Sequence, residues 1–365
     1  MSINPAADAM TVLHVTESFG AGTGHAILDF ASSTPEKNHE IIFATRADSP
    51  VEAEALEAFS SVTHFAKGHL SRVRQLRRHV RLHSPDIVHA HSSLAGVYVR
   101  VALLLERTAA VVYSPHCFAF EREDISSPLR LAFKGVERFL APLSNATAAC
   151  SARERTLASG LGARNSHLIP NVAPAGMERI AISDSDDRIG LRVVGMGRLG
   201  PQKDPEFFRN VAQILGSKFD FVWVGGGDSR LENMLRSSGI QVTGWLGRAE
   251  VARELSRGDV YVHTARWEGF PLGILEAAAA GLPVIVRAAP FSVGYPDELR
   301  SASAESVASD VLKLTVGSAR EMKSKMTREF VRGNDRAHQA DALNRTYEAA
   351  LHDKGRLKRP ISRVS

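Results

Sequence analysis

The chain has 365 residues, 44% hydrophobic and 23% charged, with a formal net charge of +5; the length suggests two domains, and the composition excludes collagenous, coiled-coil and wholly disordered classes. Two cysteines, Cys117 and Cys150, lack C-x-x-C spacing and are too few for a disulfide framework, so neither a thiol metal site nor a redox pair is expected. Charge is uneven: His69 to His83 holds five arginines and no acid, and His352 to Ser365 holds five Lys/Arg against one Asp, leaving an acidic body with two basic patches that suit an anionic partner.

The leading MSINPAADAM has neither the basic nor the apolar region of a signal peptide. The stretch from Leu94 to Leu105 is too short to span a bilayer and carries Arg100. A cytoplasmic chain, at most peripheral on the inner face of a membrane, is therefore expected. The runs TVLHVT, EIIFAT, DIVHAHS, AVVYSP, NATAAC and SHLIPN alternate with helix-compatible sequence, which is βαβ wiring. The first run enters SFGAGTGHA, where Gly20, Gly22 and Gly24 admit a close ligand and the next helix offers free N–H groups to an anion. His25 stands where a dinucleotide fingerprint needs glycine, and Thr45-Arg46 where it needs an acid.

In HLSRVRQLRRHVRLH the spacing of Leu70, Val73, Leu76 and Val80 predicts an amphipathic helix over 69–83, able to lie on an anionic membrane surface. It has no nucleic-acid motif or interleaved aromatics, so nucleic acid is not an expected partner. His89 and His91 share one side of their strand. With no acid or cysteine at ligand spacing, no metal is expected there. His116 stands at the carboxyl end of AVVYSP.

Periodicity lapses between Asn171 and Gly190, where Pro170, Pro174 and Gly176 interrupt the chain. This divides the protein into domains at 1–175 and 176–330, then a helix over 331–351 packing at their junction and a basic tail, 352–365, too poor in apolar residues to fold. The alternation restarts with LRVVGMG, DFVWVGG, IQVTGW, DVYVHTA and PVIVRA, a second parallel sheet. GMGRLG matches G-x-G-x-x-G after a strand, but the next strand ends in Gly225, Gly226 and Gly227 instead of a ribose-binding acid, with Asp228 the nearest substitute. Arg198 and Lys203, on the loop leaving the first of these strands, are placed to neutralise a diphosphate.

The sharpest constellation is WEGFPLGILEAAAAGLPVIV, with seven residues between Glu268 and Glu276. Pro271 suits the first turn of a helix, and Gly281 with Pro283 its end. The amides near Leu272, Gly273 and Ile274 can then hold phosphate oxygens between two carboxylates that accept sugar hydroxyls. Ligands of doubly wound sheets bind outside the carboxyl ends of the strands, so the chemistry is expected there.

In this order SFGAGTG, DIVHAHS, SPHCF, GRLGPQK and EGFPLGILE make the chain, over roughly residues 11 to 300, resemble the GT-B retaining glycosyltransferases of family 4, glycosyltransferase group 1. The resemblance implies an α/β fold of two Rossmann-like, doubly wound parallel-sheet domains facing a central cleft, the first binding the acceptor and the second the nucleotide-sugar donor. It implies a UDP- or GDP-sugar donor, a glycan or lipid-linked acceptor in surface polysaccharide or glycolipid synthesis, and no metal or other cofactor. Arg198 and Lys203 would hold the diphosphate, Glu276 the ribose, Glu268 the donor sugar, and His116 would contact that sugar near its reacting carbon. Gly22, Gly24, Gly269, Phe270, Leu272 and Gly273 would complete the donor site, with Trp245 and Leu246 of GWLG against the base.

The chain departs from the family in PNVAP, where members read P-N-G-V-D, and in an abbreviated SVGYPDELRSASAES. The rival readings are an NAD-dependent oxidoreductase, resting on GMGRLG, a sugar-nucleotide epimerase or phosphorylase of similar fold, and a two-lobed sugar-binding protein, which would ordinarily carry an export signal.

Overall fold

β-branched and apolar runs form strands where both faces of a sheet can be covered, and covered parallel sheets read as near-continuous hydrophobic stretches. The structure, a computed structural model, describes residues 9–45, 53–104, 106, 108–173, 176–177 and 190–358. Its first sheet contains β1 (Thr11–Thr16), β2 (Asn38–Phe43), β3 (Ser61–His64), β4 (Ile87–His91), β5 (Ala110–Ser114), β6 (Ala146–Ala149) and β7 (Ser166–Leu168), in the order β3-β2-β1-β4-β5-β6-β7. The second contains β8 (Arg192–Met196), β9 (Asp220–Val224), β10 (Gln241–Val242), β11 (Val260–His263), β12 (Val284–Arg287) and β13 (Arg300–Ser301), in the order β10-β9-β8-β11-β12-β13.

All these pairings are parallel. Each sheet reverses its winding beside its first strand, as Rossmann-like sheets do. The eleven runs read from the sequence all become strands. β3 and β13 escape that reading because SVTH is half polar on a sheet edge and Arg300–Ser301 is too short to show a period.

The helices are α1 (Ala21–Ser33), α2 (His69–His83), α3 (Ser93–Ala102), α4 (Ser127–Leu140), α5 (Ala152–Gly160), α6 (Pro205–Leu215), α7 (Ser229–Ser237), α8 (Arg248–Ser256), α9 (Leu272–Ala279), α10 (Ala304–Lys313), α11 (Gly317–Phe330) and α12 (Arg336–Lys358). Two compact units result: Met1–Glu121, Ile125–Asn171 and Asp335–Ser365 form the first, and Arg122–Asp124 with Val172–Asn334 the second. The last helix belongs to the first unit, where Ala342, Leu343, Tyr347 and Ala350 pack on Val12, Ile87, Ala110, Val112 and Ala146. It continues to Lys358, into the segment read from sequence as a tail; residues 359–365 lie outside the described residues.

α2, α3, α4 and α5 cover the other face of the first sheet, around Leu76, Val80, Tyr98, Val99, Val111 and Tyr113, with Phe133 and Leu157 packed against them. Arg100 of α3 is drawn into this layer and is 1% exposed. Its guanidinium lies 3.0 Å from Glu137 Oε2 of α4, its Nε donates to Gly96 O at 2.8 Å, and its Cζ stands 4.2 Å from the centre of the Tyr113 ring. The Tyr113 hydroxyl donates to the other Glu137 oxygen at 2.8 Å. One ion pair thereby ties two helices to β5.

Removing one partner of a buried pair strands the other charge. Arg100→Ala should therefore cost about 3–5 kcal/mol in urea unfolding, while Arg100→Met combined with Glu137→Leu should recover most of that loss.

Candidate active site

In the second sheet the winding reverses between β8 and β11, so their carboxyl-end loops flank the natural ligand position. These loops are stitched together: Arg266 N donates to Gln202 O at 2.9 Å, Gln202 Nε2 to Trp267 O at 3.0 Å, and Thr264 Oγ1 to Lys203 O at 2.5 Å. Across this seam Lys203 Nζ meets Glu268 Oε1 at 2.5 Å, with side-chain exposures of only 21% and 12%. The two residues selected from separate motifs are thus direct partners.

Beneath them lie two side chains of β11 that sequence reasoning did not single out. The Tyr261 hydroxyl and His263 Nδ1 are 3.0 Å apart. His263 Nε2 has no hydrogen-bond partner among the described residues and stands 3.9 Å from Glu268 Oε1. Burial, followed by the charge of Lys203, holds His263 well below the usual histidine range, so it is neutral and that approach is not an ion pair. Burial pushes the Tyr261 hydroxyl well up, and the negative charges of Glu276 and Glu268 push it further.

Pro271 immediately precedes α9, and Gly281, at φ 77°, follows it, so the helix has the limits its punctuation predicts. Its first turn presses on the sheet: a Cβ at Gly273 would lie 2.5 Å from the Tyr261 hydroxyl and 3.1 Å from Met196 Cε. Gly269, Phe270 and Leu272 lie on the same loop and first turn, and Glu276 on the next; of the three amides expected to meet phosphate, that of Ile274 is already donated to Pro271 O at 3.2 Å, which leaves those of Leu272 and Gly273.

GMGRLG opens no helix. The next one, α6, waits for Pro205 and is capped by Asp204, whose side chain accepts from Phe207 N. The glycines instead let two loops lie backbone on backbone, with Gly197 N on Val224 O and Leu199 N on Gly226 O, both at 2.9 Å. A Cβ at Gly225 would stand 2.4 Å from Gly197 O, and one at Gly227 2.5 Å from Leu199 O. Gly226 faces the Trp245 indole, which is 56% exposed beside the partly buried Leu246. Exposed Arg198 rides on the same loop. The dinucleotide fingerprint is therefore replaced by a glycine floor beneath an open aromatic face.

In the first sheet the winding reverses between β1 and β4. Gly22 and Gly24 fall inside the first turn of α1 and not in a loop before it, and a Cβ at Gly24 would make only ordinary contact, 3.6 Å from Phe19. Glu17, after β1, accepts from Ala95 N at 3.2 Å and from the Ser92 hydroxyl, fastening the start of α3.

His116 and Cys117, just past β5, both have positive φ, 51° and 84°. Such backbone persists where its surroundings over-determine it, and here buried Glu154 accepts from Cys117 N at 2.7 Å and Cys150 N at 2.8 Å. Burial lowers the partly exposed His116 to about 4, so it is neutral near pH 7. Behind it the fold supplies what sequence spacing did not: His14 of β1 stands opposite His89 of β4, and ring nitrogens of His14, His89 and His91 lie within 4.8 Å of one another. These nitrogens are hydrogen-bonded to each other or to His39, His116, Ser114 and Tyr347, bonds that a metal ion would have to displace.

Residues 190–324 match the family described as Glycosyl transferases group 1, and residues 20–174 match Glycosyltransferase Family 4. The chain is 31% identical over 228 residues to the UDP-Gal:alpha-D-GlcNAc-diphosphoundecaprenol alpha-1,3-galactosyltransferase of Escherichia coli, a match spanning 55% of this chain and 57% of that enzyme. Anabaena HepE, solved with UDP and glucose, superposes with a TM-score of 0.78 at 18% identity, covering 93% of this chain and all of HepE. Sucrose-phosphate synthase of Thermosynechococcus elongatus gives 0.72 at 16% identity over 95% of this chain and 98% of its own. Two Rossmann-like parallel sheets with these neighbours define the GT-B fold. The chain belongs to the family 4, group 1 glycosyltransferases.

Gly225→Ala should lower the melting temperature by the equivalent of about 1–3 kcal/mol, because the new methyl meets backbone. Gly24→Ala, in a helix with room for a methyl, should leave stability unchanged or raise it by up to about 1 kcal/mol.

Proposed function

We propose that the protein is a retaining, metal-independent hexosyltransferase that moves a sugar from a UDP- or GDP-sugar to a hydroxyl of a glycan or lipid-linked acceptor, in surface polysaccharide or glycolipid synthesis. The observation that carries this reading is the Lys203–Glu268 pair at the β8/β11 switch point, beside the amino end of α9. Cation, carboxylates and free amides there match the parts of a sugar diphosphate. The donor lies on the second unit, with Arg198, Lys203 and the amides of Leu272 and Gly273 on the diphosphate, Glu276 on the ribose, Glu268 with Gly269 and Phe270 on the sugar, and Trp245 with Leu246 on the base. The first unit takes the acceptor, presents the amide of Gly22 to an anionic group, with Gly24 beside it holding its own N–H on Gly20 O at 3.2 Å, and hydrogen-bonds a sugar hydroxyl through His116.

In the reaction the anomeric C–O bond to phosphate breaks and the glycosidic C–O bond forms on the same face, while the departing phosphate oxygen takes the acceptor's proton. Positive charge develops at the anomeric carbon and negative charge on the leaving oxygen, where Arg198 and Lys203 act. A galactosyltransferase relative that uses UDP-Gal and a fold neighbour holding UDP support a uridine donor. An oxidoreductase reading loses its motif, since GMGRLG builds a loop floor and not a helix start.

A lipid-linked acceptor is supported by the outer surface of α2, α3 and α4, which pack on the same face of the first sheet. Leu70, which the spacing assigns to the buried stripe of α2, is 73% exposed, as are Leu82 (67%), Leu131 (72%) and Phe139 (80%). Exposed Arg74, Arg78, Arg81, Lys134 and Arg138 accompany them. Apolar side chains interleaved with cations suit an anionic bilayer surface. Among the described residues no helix is long and apolar enough to cross a membrane.

With EDTA present, one of the UDP-, GDP- or ADP-sugar series should raise the melting temperature. Arg198→Ala and Lys203→Ala should abolish that shift and lower turnover about 10²–10³-fold, and the product's anomeric proton should show retained configuration by NMR. Stabilisation by NAD(H) alone, or a strict need for a divalent ion, would sink the reading. Separately, the protein should float with vesicles containing phosphatidylglycerol, and Leu131→Glu with Phe139→Glu should abolish flotation while leaving nucleotide-sugar binding intact; flotation unaffected by the pair would remove the membrane from the proposal.

A further inference from the structure

One face of the first sheet carries an unbroken row of imidazoles. At its inner end His39 Nε2 lies 2.9 Å from the carbonyl oxygen of Thr34 and 3.2 Å from its hydroxyl. His39 Nδ1 is 3.0 Å from His14 Nε2, His14 Nδ1 is 2.9 Å from His91 Nε2, and His91 Nδ1 is 3.0 Å from His116 Nε2. All five residues belong to the first unit.

A neutral imidazole has one donor nitrogen and one acceptor, so fixing one end of such a row fixes every member. The Thr34 carbonyl can only accept. The Thr34 hydroxyl gives its hydrogen to Phe30 O at 2.8 Å, so it too can only accept from the ring. His39 Nε2 must therefore donate, which leaves His39 Nδ1 to accept from His14 Nε2. The same step repeats at His14 and His91, and His116 Nε2 donates last. His116 Nδ1 is then a bare lone pair, with no hydrogen-bond partner among the described residues.

Burial holds His14 and His91 well below the usual histidine range and also lowers His39 and His116, which keeps the row neutral. His89 lies beside the row but outside it. The Ser114 hydroxyl gives its hydrogen to Ala148 O and accepts from His89 Nε2 at 2.9 Å, while the Tyr347 hydroxyl donates to His89 Nδ1 at 3.0 Å.

We infer that His39, His14 and His91, anchored on the Thr34 carbonyl, are positioning residues that fix His116 as its Nε2–H tautomer, with Nδ1 an acceptor for a hydroxyl of the bound sugar. The hydroxyl as partner rests on the transferase reading; the order of the tautomers does not. Which nitrogen of a histidine carries the proton is set by the bond its other nitrogen makes, and here that bond is set three residues further inside. A reversed ring would present an N–H to the substrate, to which the hydroxyl could only accept and no longer donate.

The full-length protein labelled with ¹⁵N-histidine tests this without ligand. Long-range ¹H–¹⁵N correlation spectra should show His39, His14, His91 and His116 neutral and protonated on Nε2. In His14→Phe, His91 and His116 should become mixtures of tautomers, and kcat for UDP release from UDP-glucose should fall about 10–100-fold, as for other groups that orient a site's working residues, with KM little changed. His14→Gln, whose amide both donates and accepts, should restore much of the loss.

His116 carrying its proton on Nδ1, a tautomer pattern untouched by His14→Phe, or stoichiometric zinc bound by the purified protein would overturn the inference. If His14→Phe does not fold, the wild-type spectrum decides. An intact tautomer row in a protein that binds no nucleotide sugar would overturn the hydroxyl partner alone.

Discussion

A polar group enclosed between the layers of a parallel sheet costs stability unless it finds a hydrogen-bond partner there. The first unit meets this constraint twice, by different means. On the face under α2 to α5 the solution is ionic: Arg100 enters the layer with Glu137 and Tyr113 and donates its Nε–H to the backbone of its own helix. On the face under α1 and α12 it is neutral, with imidazoles, a serine and a tyrosine sharing hydrogens across β1, β2, β4 and β5. The apolar residues around them, Val12, Phe30, Ile87 and Val112, make each bond obligatory. A polar layer built this way cannot shift one side chain without unsatisfying the next.

The second unit sets close-packed glycines and the Lys203–Glu268 pair on the loops that leave β8, β9 and β11. Two glycine runs, 195–200 and 225–227, bring the β8 and β9 loops within reach of any substituent, so no larger residue can stand at Gly225 or Gly227 without moving the floor. Close backbone approach in turn leaves Lys203 directed at Glu268, and the hydrogen bonds from Gln202 and Thr264 hold the loop in register. Asp204, at φ 47°, adds an ion pair to Arg287 at 2.5 Å, locking the start of α6. Rigid elements thereby set the positions of a cation and a carboxylate that sit on loops.

Much of this was legible in the sequence, and what escaped has a physical reason. Period-two apolar runs and helical spacing report burial within a single element, so the parallel strands, α2 and α9 could be read directly. Punctuation did as much for the Glu268–Glu276 segment, where proline and glycine set the helix that carries the second acid. The imidazole row could not be read this way, because it is made of long-range contacts: His14 meets His91 across 77 residues, and His89 meets Tyr347 across 258. The signal that existed was weak but present, a histidine facing the same way in TVLHVT, NHEIIF and DIVHAHS. His263 escaped for a similar reason, as the last residue of an apolar strand whose role depends on a glutamate from the following loop. Gly22 and Gly24 misled in the opposite direction, since glycines that suggest a loop were absorbed into the first turn of α1.

The two units therefore prepare for a ligand in contrasting ways. In the second, Lys203 and Glu268 already neutralise each other, so a diphosphate arriving there must compete with the carboxylate for the ammonium. That exchange frees Glu268 just where, on the proposed reading, a sugar hydroxyl needs an acceptor. Ion pairing before binding thus keeps a partly buried lysine from being an uncompensated charge and keeps the acid from closing on anything other than a ligand that also supplies an anion. The imidazole row of the first unit has no charge to exchange. His116 stays neutral, and its readiness is a matter of which nitrogen bears hydrogen, a property carried from Thr34 to the end of β5 by hydrogen bonds that are buried as far as His91 and part-buried at the last step to His116. On the proposed reading, the second unit recognises a charged diphosphate by exchange of partners, and the first an uncharged hydroxyl by the direction of a lone pair.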